Sequence, residues 1–272
     1  MYNKAIDNKC TRVQSNTRRI LEGMSYIKKK LIVFCVIFIG ISAIIGVYNL
    51  KTQGTFFGNQ RKLPIYCVDT KEKKVAISFD ASWGDDRTDD ILKVLDKYDA
   101  KATFFVVGAW IDQYPDKLKS IHEKGHEIGN HSNKHPIMTT ISKDKMIKEI
   151  DTTDAKIMAL TGQETTLFRC PSGEYNNLVI ETVASTNHYC IQWDVDSIDW
   201  REQGAEIEYN RIIKNTKPGS ILLFHNNAKY TPENLDRILL FLKNQGYKFV
   251  TISDLIYKNN YYIDEAGKQI QK

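Results

Sequence analysis

Two histidines four residues apart, His131 and His135, are the residues whose type and spacing most directly indicate metal chemistry. They lie in the segment HSNKH, which follows a predicted strand and precedes a proline. On a helical turn, this spacing brings both imidazole rings to one face, as binding of a metal ion requires. Two imidazoles together with a carboxylate suit zinc or cobalt. The pair therefore predicts two ligands of a divalent metal.

Further polar residues lie where other predicted strands end. In parallel α/β folds, the carboxyl ends of the strands form the face on which sites are assembled. The residues at these positions, besides the histidine pair, are Asp80, Arg169, Asp196, Asp199 and His225. Because so many strands end in this way, we expect these side chains to meet in one site.

The elements that must position this site are short apolar runs alternating with amphipathic segments. Strands are predicted at residues 75–80, 102–108, 126–130, 166–170, 188–195, 219–226 and 247–252. Helices are predicted between them, with Thr88, Ser142 and Thr231 as N-caps and Gly162 as a stop signal. Seven alternating units of this kind imply a parallel sheet, either open or closed into a barrel.

The N-terminal part of the chain carries most of the positive charge. Residues 1–30 hold eight Lys/Arg and two acidic residues, so the rest of a chain of net charge +5 carries −1. A nearly neutral body disfavours nucleic-acid binding. Residues 31–50 are apolar and uncharged, and their length is close to the ~20 residues that span a bilayer. This predicts a transmembrane signal anchor with a cytoplasmic N-terminus and an exported body.

A cleaved signal peptide is the alternative to an anchor, but the basic region is long for one and no small-x-small site follows Val47. After the anchor we predict a linker or leading strand at 51–73, one catalytic domain at 74–258 and a polar C-terminal tail at 259–272. Within the predicted exported part, Cys170 and Cys190 either pair or remain free, buried thiols; Cys67 is the third cysteine there.

Five sequence blocks resemble those of the NodB-type polysaccharide deacetylases, carbohydrate esterase family 4. They occur in the family's order: SFDASWG at 78–84, HSNKH at 131–135, RCPSGEY at 169–175, DSIDW at 196–200 and LLFHN at 222–226. The resemblance implies a distorted (β/α)7 barrel that removes acetyl groups from amino sugars. It also implies a divalent metal, zinc or cobalt, as cofactor.

The resemblance assigns a role to each matching residue. Asp80 corresponds to the general base, His225 to the general acid, and His131 and His135 to metal ligands. The backbone N–H of Ser172 corresponds to the oxyanion donor. The remaining matches are Arg169, which orients the base, Asp199, which holds the acid, and Trp200 and Tyr175, which contact the sugar.

One departure from the family pattern affects the metal site. The family carries a second aspartate, the third metal ligand, where this chain has Ala81. Asp85 or Asp86 could reach back to the metal, although both also suit the start of the next helix. Alternatively, Asp80 serves as ligand and base, or the site is weak. In the last case the protein is a wall-binding scaffold with little or no activity.

Within the family, an alanine after the first aspartate, together with the SWG and FHN variants, resembles a sporulation-associated branch. This resemblance implies peptidoglycan as the substrate. It leaves open whether the sugar is N-acetylglucosamine or N-acetylmuramic acid.

Overall fold

The computed structural model describes Met24, Lys28, Lys30, Phe34, residues 37–44, 61–85 and 87–272, and the chain divides into two units, 1–60 and 61–272. Residues 37–44 are helical (α1) and exposed. No helix among the described residues combines the length and apolar character needed to cross a membrane. Residues 31–33, 35–36 and 45–50 of the predicted anchor lie outside the described residues, so the anchor stays a prediction.

The second unit is built on an eight-stranded sheet with the order β6-β5-β4-β3-β2-β8-β7, and β9 pairs with the start of β2. All its strand pairs are parallel. The strands of the unit are β1 Cys67–Val68, β2 Lys74–Ala81, β3 Ala102–Val106, β4 Glu127–Asn130, β5 Leu167–Phe168, β6 Tyr189–Cys190, β7 Val195–Asp196, β8 Ile221–His225, β9 Lys248–Val250, β10 Tyr261–Ile263 and β11 Lys268–Gln271.

Helices follow most strands of this sheet. They are α2 Thr88–Lys97, α3 Gly108–Gln113, α4 Pro115–Glu123, α5 Lys143–Thr161, α6 Asn177–Ser185, α7 Ala205–Asn215, α8 Thr231–Asn244 and α9 Ile252–Leu255. The short helices α3 and α9 were not predicted. Helix α8 shows why the longer ones form, because Leu235, Ile238, Leu239 and Leu242 recur at helical spacing and are all buried.

Strand β2 lies at the centre of the core. All of its residues except Lys74 are buried, as expected of a parallel strand covered on both faces. The ring of Phe79 stacks on Phe104 of β3 at 4.8 Å and lies 5.7 Å from Phe224 of β8. Each buried phenylalanine stabilises the fold by roughly 1.5–3 kcal/mol. These rings hold β2 between β3 and β8, and β2 and β8 carry Asp80 and His225 of the site described below.

The prediction of one strand at 188–195 was wrong. That segment forms β6 and β7, which lie at opposite ends of the sheet order. Between them, Gln192 N–H donates to the Ile65 carbonyl at 2.7 Å and Asp194 N–H donates to the Ile221 carbonyl at 3.3 Å. Within the described residues, β6 and β7 do not pair with each other, so the fold is an α/β half-barrel and not a closed seven-unit barrel.

Two predicted helix caps have other functions. Thr88 and Thr231 are buried first residues of α2 and α8, and the cap positions are Arg87 and Tyr230. The Thr231 hydroxyl donates to a carboxylate of the site, which competes with capping. Ser142, in contrast, is confirmed as the N-cap of α5, because its side chain accepts from the N–H of Lys145.

Residues 259–272, predicted to be a polar tail, instead contribute two strands. β10 and β11 pair in antiparallel fashion, and β11 pairs in parallel with β1. Gln269 of β11 is fully buried, and its side chain exchanges hydrogen bonds of 2.8 Å with the backbone of Tyr257. Polar composition therefore did not prevent this segment from packing, because its polar groups find partners.

Candidate active site

The carboxyl ends of the central strands surround a cavity of about 610 Å³. Asp80 at the end of β2 is in register with His225 at the end of β8, so both side chains reach the same face. The cavity is lined by Asp80, Ser82, Trp83, His131, His135, Ser172, Gly173, Trp193, Asp196, Trp200, Glu202, Leu223, His225, Asn227 and Ala228. The expectation that strand-end residues share one face agrees with this arrangement.

Asp80 is a buried carboxylate paired with a buried cation. Arg169 Nη1 donates to its Oδ1 at 2.7 Å, and neither side chain is more than 8 % exposed. Nη2 of the same guanidinium donates to Ser78 Oγ at 2.8 Å. Burial alone would raise the pKa of the Asp80 carboxyl, but the charges of Arg169 and the neighbouring histidines outweigh burial and lower it. Asp80 is therefore ionised at neutral pH.

His131 is held in one tautomer. Its Nδ1 lies 2.8 Å from the carbonyl oxygen of Arg169, which can only accept, so Nδ1 carries the proton and Nε2 carries the lone pair. Burial lowers the pKa of His131 to about 4 and keeps the ring neutral. A neutral ring with its second nitrogen hydrogen-bonded to a carbonyl is the usual arrangement of a metal ligand.

The segment that carries both histidines is an irregular loop, so the expectation of a helical turn was wrong. Ser132 and His135 have positive φ angles of 67° and 56°. Oε2 of Glu149, on α5, accepts from the N–H groups of Asn133 and Lys134 at 2.9 and 2.7 Å. These bonds replace helical ones, and the two imidazole centroids lie 5.0 Å apart.

Gly108 lets this loop pack against α3. Its N–H donates to the Ser132 carbonyl at 2.9 Å. A Cβ atom at position 108 would lie 2.4 Å from Asn133 Oδ1 and 2.8 Å from Thr153 Oγ1, both too close. The Cα of Asn133 would also lie 3.1 Å away, so a larger residue at 108 would force the loop or its side chains to shift.

The described residues fit a divalent metal only in part. His131 Nε2 lies 3.5 Å from Asp80 Oδ2. Two ligands of one tetrahedral ion with bonds of about 2.0–2.1 Å are separated by roughly 3.4 Å, so this pair has the required spacing. His135 supplies a further nitrogen. However, no group of three or more His, Cys, Asp or Glu side chains in the described part of the chain is arranged to hold a metal.

Asp85, one predicted alternative for the third ligand, does not line the cavity. The carboxylate of Asp85 lies 3.8 Å from Lys117 Nζ and is not part of the cavity lining. Asp86 lies outside the described residues. Ala81 is fully buried in the apolar core and does not line the cavity either. Of the two candidate carboxylates that the structure describes, Asp80 and Asp85, Asp80 lies beside a histidine of the pair.

His225 is held by a carboxylate that is itself fully bonded. Its ring Nδ1 lies 2.7 Å from Oδ1 of Asp199, and its backbone N–H donates to Oδ2 of Asp199 at 2.8 Å. The hydroxyl of Thr231 donates to the same Oδ2 at 2.7 Å. Burial alone would lower the pKa of His225, but the hydrogen bond and charge of Asp199 raise it. The ring therefore keeps its proton to a higher pH than a free histidine does.

Asn226, which directly follows His225, connects two loops. Its Nδ2 donates to the Gly84 carbonyl at 2.9 Å and to Thr88 Oγ1 at 3.1 Å. Trp110 Nε1 donates to the same carbonyl at 2.7 Å. A carboxylate at position 226 could not donate these bonds, so asparagine suits this loop.

Left-handed backbone is concentrated around the cavity. Ser172, in the turn Pro171–Gly173, has φ = 56°, and Ile198 and Glu202 have φ values of 55° and 49°. Such conformations, especially for a β-branched residue, cost of order 1–3 kcal/mol and cluster at functional sites. The turn presents Ser172 to the cavity.

The aromatic residues near the site, among them Trp200 and Tyr175, which were predicted to contact a sugar, differ in their environments. Trp83 and Trp200 line the cavity and are 62 % and 56 % exposed, and Trp83 packs edge-on against His135. Trp110 is a core residue. Tyr175 is not part of the cavity lining, and its hydroxyl bonds to that of Tyr66 at 3.0 Å. Trp193 lines the cavity, and its ring centroid lies 5.5 Å from the Arg169 guanidinium carbon; it was not predicted because it lies within the segment predicted as a strand at 188–195.

Comparison with known proteins identifies the family. The sequence model described as polysaccharide deacetylase matches residues 68–191. A peptidoglycan-N-acetylmuramic acid deacetylase of Bacillus subtilis, PdaA, is 33 % identical over 197 residues, which cover 71 % of this chain and 75 % of that protein. A peptidoglycan-N-acetylglucosamine deacetylase of Bacillus cereus is 37 % identical over 199 residues, 71 % of this chain and 92 % of that protein.

The chain belongs to the polysaccharide deacetylase family. It has the NodB domain of carbohydrate esterase family 4. This deacetylase homologue is also similar to BA3943 of Bacillus anthracis, a family 4 pseudoenzyme, with 35 % identity, a TM-score of 0.68 and coverage of 71 % of this chain and 68 % of that one. A BA3943 mutant with restored enzymatic activity, 36 % identical, matches with the same TM-score and covers 71 % of this chain and 70 % of that one. The family thus contains both active and inactive members.

Proposed function

We propose that this protein hydrolyses the acetamido group of an N-acetylated amino sugar in peptidoglycan. The observation that carries the proposal is the pairing of Asp80 with His225 across adjacent strand ends. Each is held in the charge state that the reaction needs, Asp80 by Arg169 and His225 by Asp199. Water adds to the amide carbonyl, the C–N bond breaks, and the products are acetate and a free amine.

Asp80 acts as the general base in this proposal. It accepts a proton from the attacking water, and Arg169 keeps its carboxylate oriented toward the cavity. His225 acts as the general acid and donates its proton to the leaving nitrogen. The positive φ of Ser172 supports a role for its backbone N–H in stabilising the oxyanion.

His131, His135 and Oδ2 of Asp80 are the groups that would hold a divalent metal, zinc or cobalt. Such an ion would polarise the carbonyl and lower the pKa of water. The neutral tautomer of His131 and its spacing from Asp80 support this assignment. Asp80 would then serve both as ligand and as base.

We also propose that residues 31–50 anchor the protein, with residues 1–30 in the cytoplasm and the deacetylase domain outside. The charge before the apolar run supports this orientation. An exported domain would face peptidoglycan. The alanine after Asp80 and the SWG and FHN blocks support a place in the sporulation-associated branch.

Acetate release tests the proposal. The full-length protein is incubated with N-acetylated peptidoglycan, with added zinc or cobalt and with a chelator. We expect acetate only with metal. Each deacetylation lowers the mass of a sugar by about 42 Da, because hydrogen replaces the acetyl group. Mass spectrometry of the digested glycan then shows whether the glucosamine or the muramic acid residues carry this loss. These are the two sugars that the names of the relatives give. A folded protein that releases no acetate with any metal contradicts the proposal.

A second candidate function is binding of wall glycan without efficient catalysis. Two observations favour it. Ala81 packs in the apolar core where the resemblance implies a metal-binding aspartate, and BA3943, a pseudoenzyme, is among the similar structures. A scaffold should bind glycan in the presence of chelator, and Asp80→Asn should leave that binding unchanged. Isothermal titration calorimetry of wild type and Asp80→Asn, compared with the acetate assay, separates the two functions.

A further inference from the structure

A carboxyl group is buried between α7 and α8, beneath the residues that hold His225. Glu208 of α7 is 1 % exposed, and Asn234 of α8 is fully buried. Asn234 Nδ2 donates to Glu208 Oε2 at 2.8 Å. The other two oxygens of this pair, Glu208 Oε1 and Asn234 Oδ1, are buried without a hydrogen-bond partner in the structure.

The two unpartnered atoms share one deficiency. Both are acceptors if Glu208 is a carboxylate, so they cannot bond to each other. Exchanging the positions of the amide oxygen and nitrogen of Asn234 does not satisfy both atoms, because the donor N–H then leaves Glu208 Oε2 and that oxygen loses its partner. One proton on Oε1 changes this atom into a donor. A carboxylic acid and a primary amide then complement each other, each donating once and accepting once.

The surrounding charge also favours the neutral acid. The charges that act on Glu208 belong to Asp199 and Glu202, and both are negative. The nearby cation on α8, Arg237, pairs with Glu206 at the exposed end of α7 at 2.6 Å. Burial is the main cause that raises the pKa of Glu208 to about 7; the hydrogen bond from Asn234 opposes this rise, and the two carboxylates add to it.

We propose that Glu208 is a neutral carboxylic acid that pairs reciprocally with Asn234 and so positions the His225–Asp199 pair. Asn234 and Thr231 both belong to the first turn of α8. The hydroxyl of Thr231 donates to the Asp199 oxygen that also accepts from the His225 N–H. Packing of this turn against α7 therefore holds Asp199 in place and, through Asp199, His225. The positioning of His225 rests on the proposed function, and the neutral state of Glu208 does not.

Infrared spectroscopy tests the protonation state of Glu208 in the full-length protein. Wild type minus Glu208→Gln should show the carbonyl band of a protonated carboxyl group at pH 6, and the band should fall by half near pH 7. Glu206→Gln, on the same helix but 68 % exposed, is the matched control and should show no such band. No band at pH 6 in the Glu208 difference spectrum would overturn the proposal.

Denaturant unfolding gives a second test that requires no activity. A carboxyl whose pKa is raised by folding stabilises the folded state below its unfolded pKa and loses this contribution as pH rises toward 7. Wild type should therefore lose stability relative to Glu208→Gln between pH 4.5 and about 7, because glutamine keeps both hydrogen bonds at every pH. Parallel curves for the two proteins would contradict the neutral pair.

Turnover tests the positioning role. Glu208→Ala should lower kcat about tenfold with KM nearly unchanged, and Glu208→Gln should restore kcat and remove the change of rate near pH 7. If wild type is inactive, the proposed function fails while the infrared and unfolding tests still decide the state of Glu208. A Glu208→Ala variant with wild-type kcat overturns the positioning role.

Discussion

The Nε2 atom of His131 lies 3.5 Å from Oδ2 of Asp80, while Oδ1 of the same carboxylate is held by Arg169 at 2.7 Å. Oδ1 of Asp80 is thus fixed by the Arg169 cation, and Oδ2 faces the lone pair on His131 Nε2. A carboxylate oxygen and a nitrogen lone pair repel each other unless a proton or a metal ion lies between them. The pair therefore explains how a site lacking the family's second aspartate could still bind a metal.

Asp80→Asn should therefore reduce metal affinity and turnover together. The amide keeps the shape of the side chain but removes the negative charge that faces His131. We expect a loss of at least tenfold in zinc affinity, measured by competition with a chromophoric chelator. His225→Ala is the control and should abolish turnover while leaving zinc affinity within about twofold. Equal zinc affinity in wild type and Asp80→Asn would show that Asp80 is not a ligand.

Ala81→Asp should destabilise the metal-free protein and respond to zinc. The new carboxylate would start from a fully buried position in the apolar core, and a buried unpaired charge costs about 3 kcal/mol or more. Zinc should restore part of this loss if the carboxylate can reach the histidines. The measurement is thermal unfolding with and without zinc, with Ala81→Ser as the uncharged control. A zinc-induced rise in Tm no larger than that of Ala81→Ser would contradict this expectation.

Asp199→Asn should move the pH dependence of the reaction to lower pH. Asp199 raises the pKa of His225, so the acid form persists above its ordinary pKa of about 6.5. The stability contributed by this pair is fully present below that value and is lost as pH rises through the raised pKa. The variant should lose the alkaline part of the rate profile. It should also show less change in unfolding free energy between pH 5.5 and 9.

The control for that experiment is Asp196→Asn, a cavity carboxylate whose Oδ1 accepts from the Ile198 N–H and not from His225. Its profile should shift less than that of Asp199→Asn. Profiles that shift equally would mean that overall negative charge, and not the direct hydrogen bond, sets the pKa of His225.

Glu149→Ala should weaken metal binding although Glu149 is not a ligand. Its carboxylate accepts hydrogen bonds from the backbone N–H groups of Asn133 and Lys134, which lie between the two histidines. Loss of such support for a ligand typically costs 10–100-fold in metal affinity, so we expect at least about tenfold. Asp151→Ala removes an exposed carboxylate two residues along the same helix and should have no effect. Equal losses in both variants would indicate a general charge effect.

Oxidation should join Cys170 to Cys190. Their sulfur atoms lie 3.6 Å apart and both thiols are free and buried, as in one of the two predicted alternatives, and this distance permits a bridge. Unfolding and refolding with oxidised glutathione should give a disulfide between them, found by peptide mass spectrometry, and raise the unfolding free energy by about 3 kcal/mol. Cys67 is the internal control and should remain a thiol. Bridges involving Cys67 would contradict the expected proximity.

The sequence predicted the central strands and the strand-end residues because both have local signals. A parallel strand buried on both faces reads as a continuous apolar run, as β2 and β8 do. It could not show that residues 188–195 form two strands at opposite ends of the sheet. A run of apolar residues contains no information about which neighbour it pairs with. The C-terminal strands were missed for a similar reason. Their polar side chains, such as Gln269, form hydrogen bonds with backbone groups outside these strands, and no local pattern shows this.

The support of the site was less predictable than its reactive residues. Glu149, Glu208 and Gly108 act through contacts between elements far apart in sequence, so no spacing pattern marks them. The threonines predicted as caps illustrate the same point. Thr231 has the residue type of a cap, but a hydrogen bond to Asp199 across the fold determines its role. Local propensity was outweighed by tertiary contact.

The loop between the two histidines is held by its backbone, and this determines which positions can change during evolution. Glu149 contacts the N–H of Lys134, so the exposed side chain at 134 can drift among lineages without displacing His135. Gly108 is more constrained, because a Cβ there would lie 2.4 Å from Asn133 Oδ1 and 3.1 Å from Asn133 Cα and would force the loop to shift. In a comparison of descendants of this protein, an intact glycine at position 108 should therefore be a better marker of a preserved histidine loop than the loop's own middle residues.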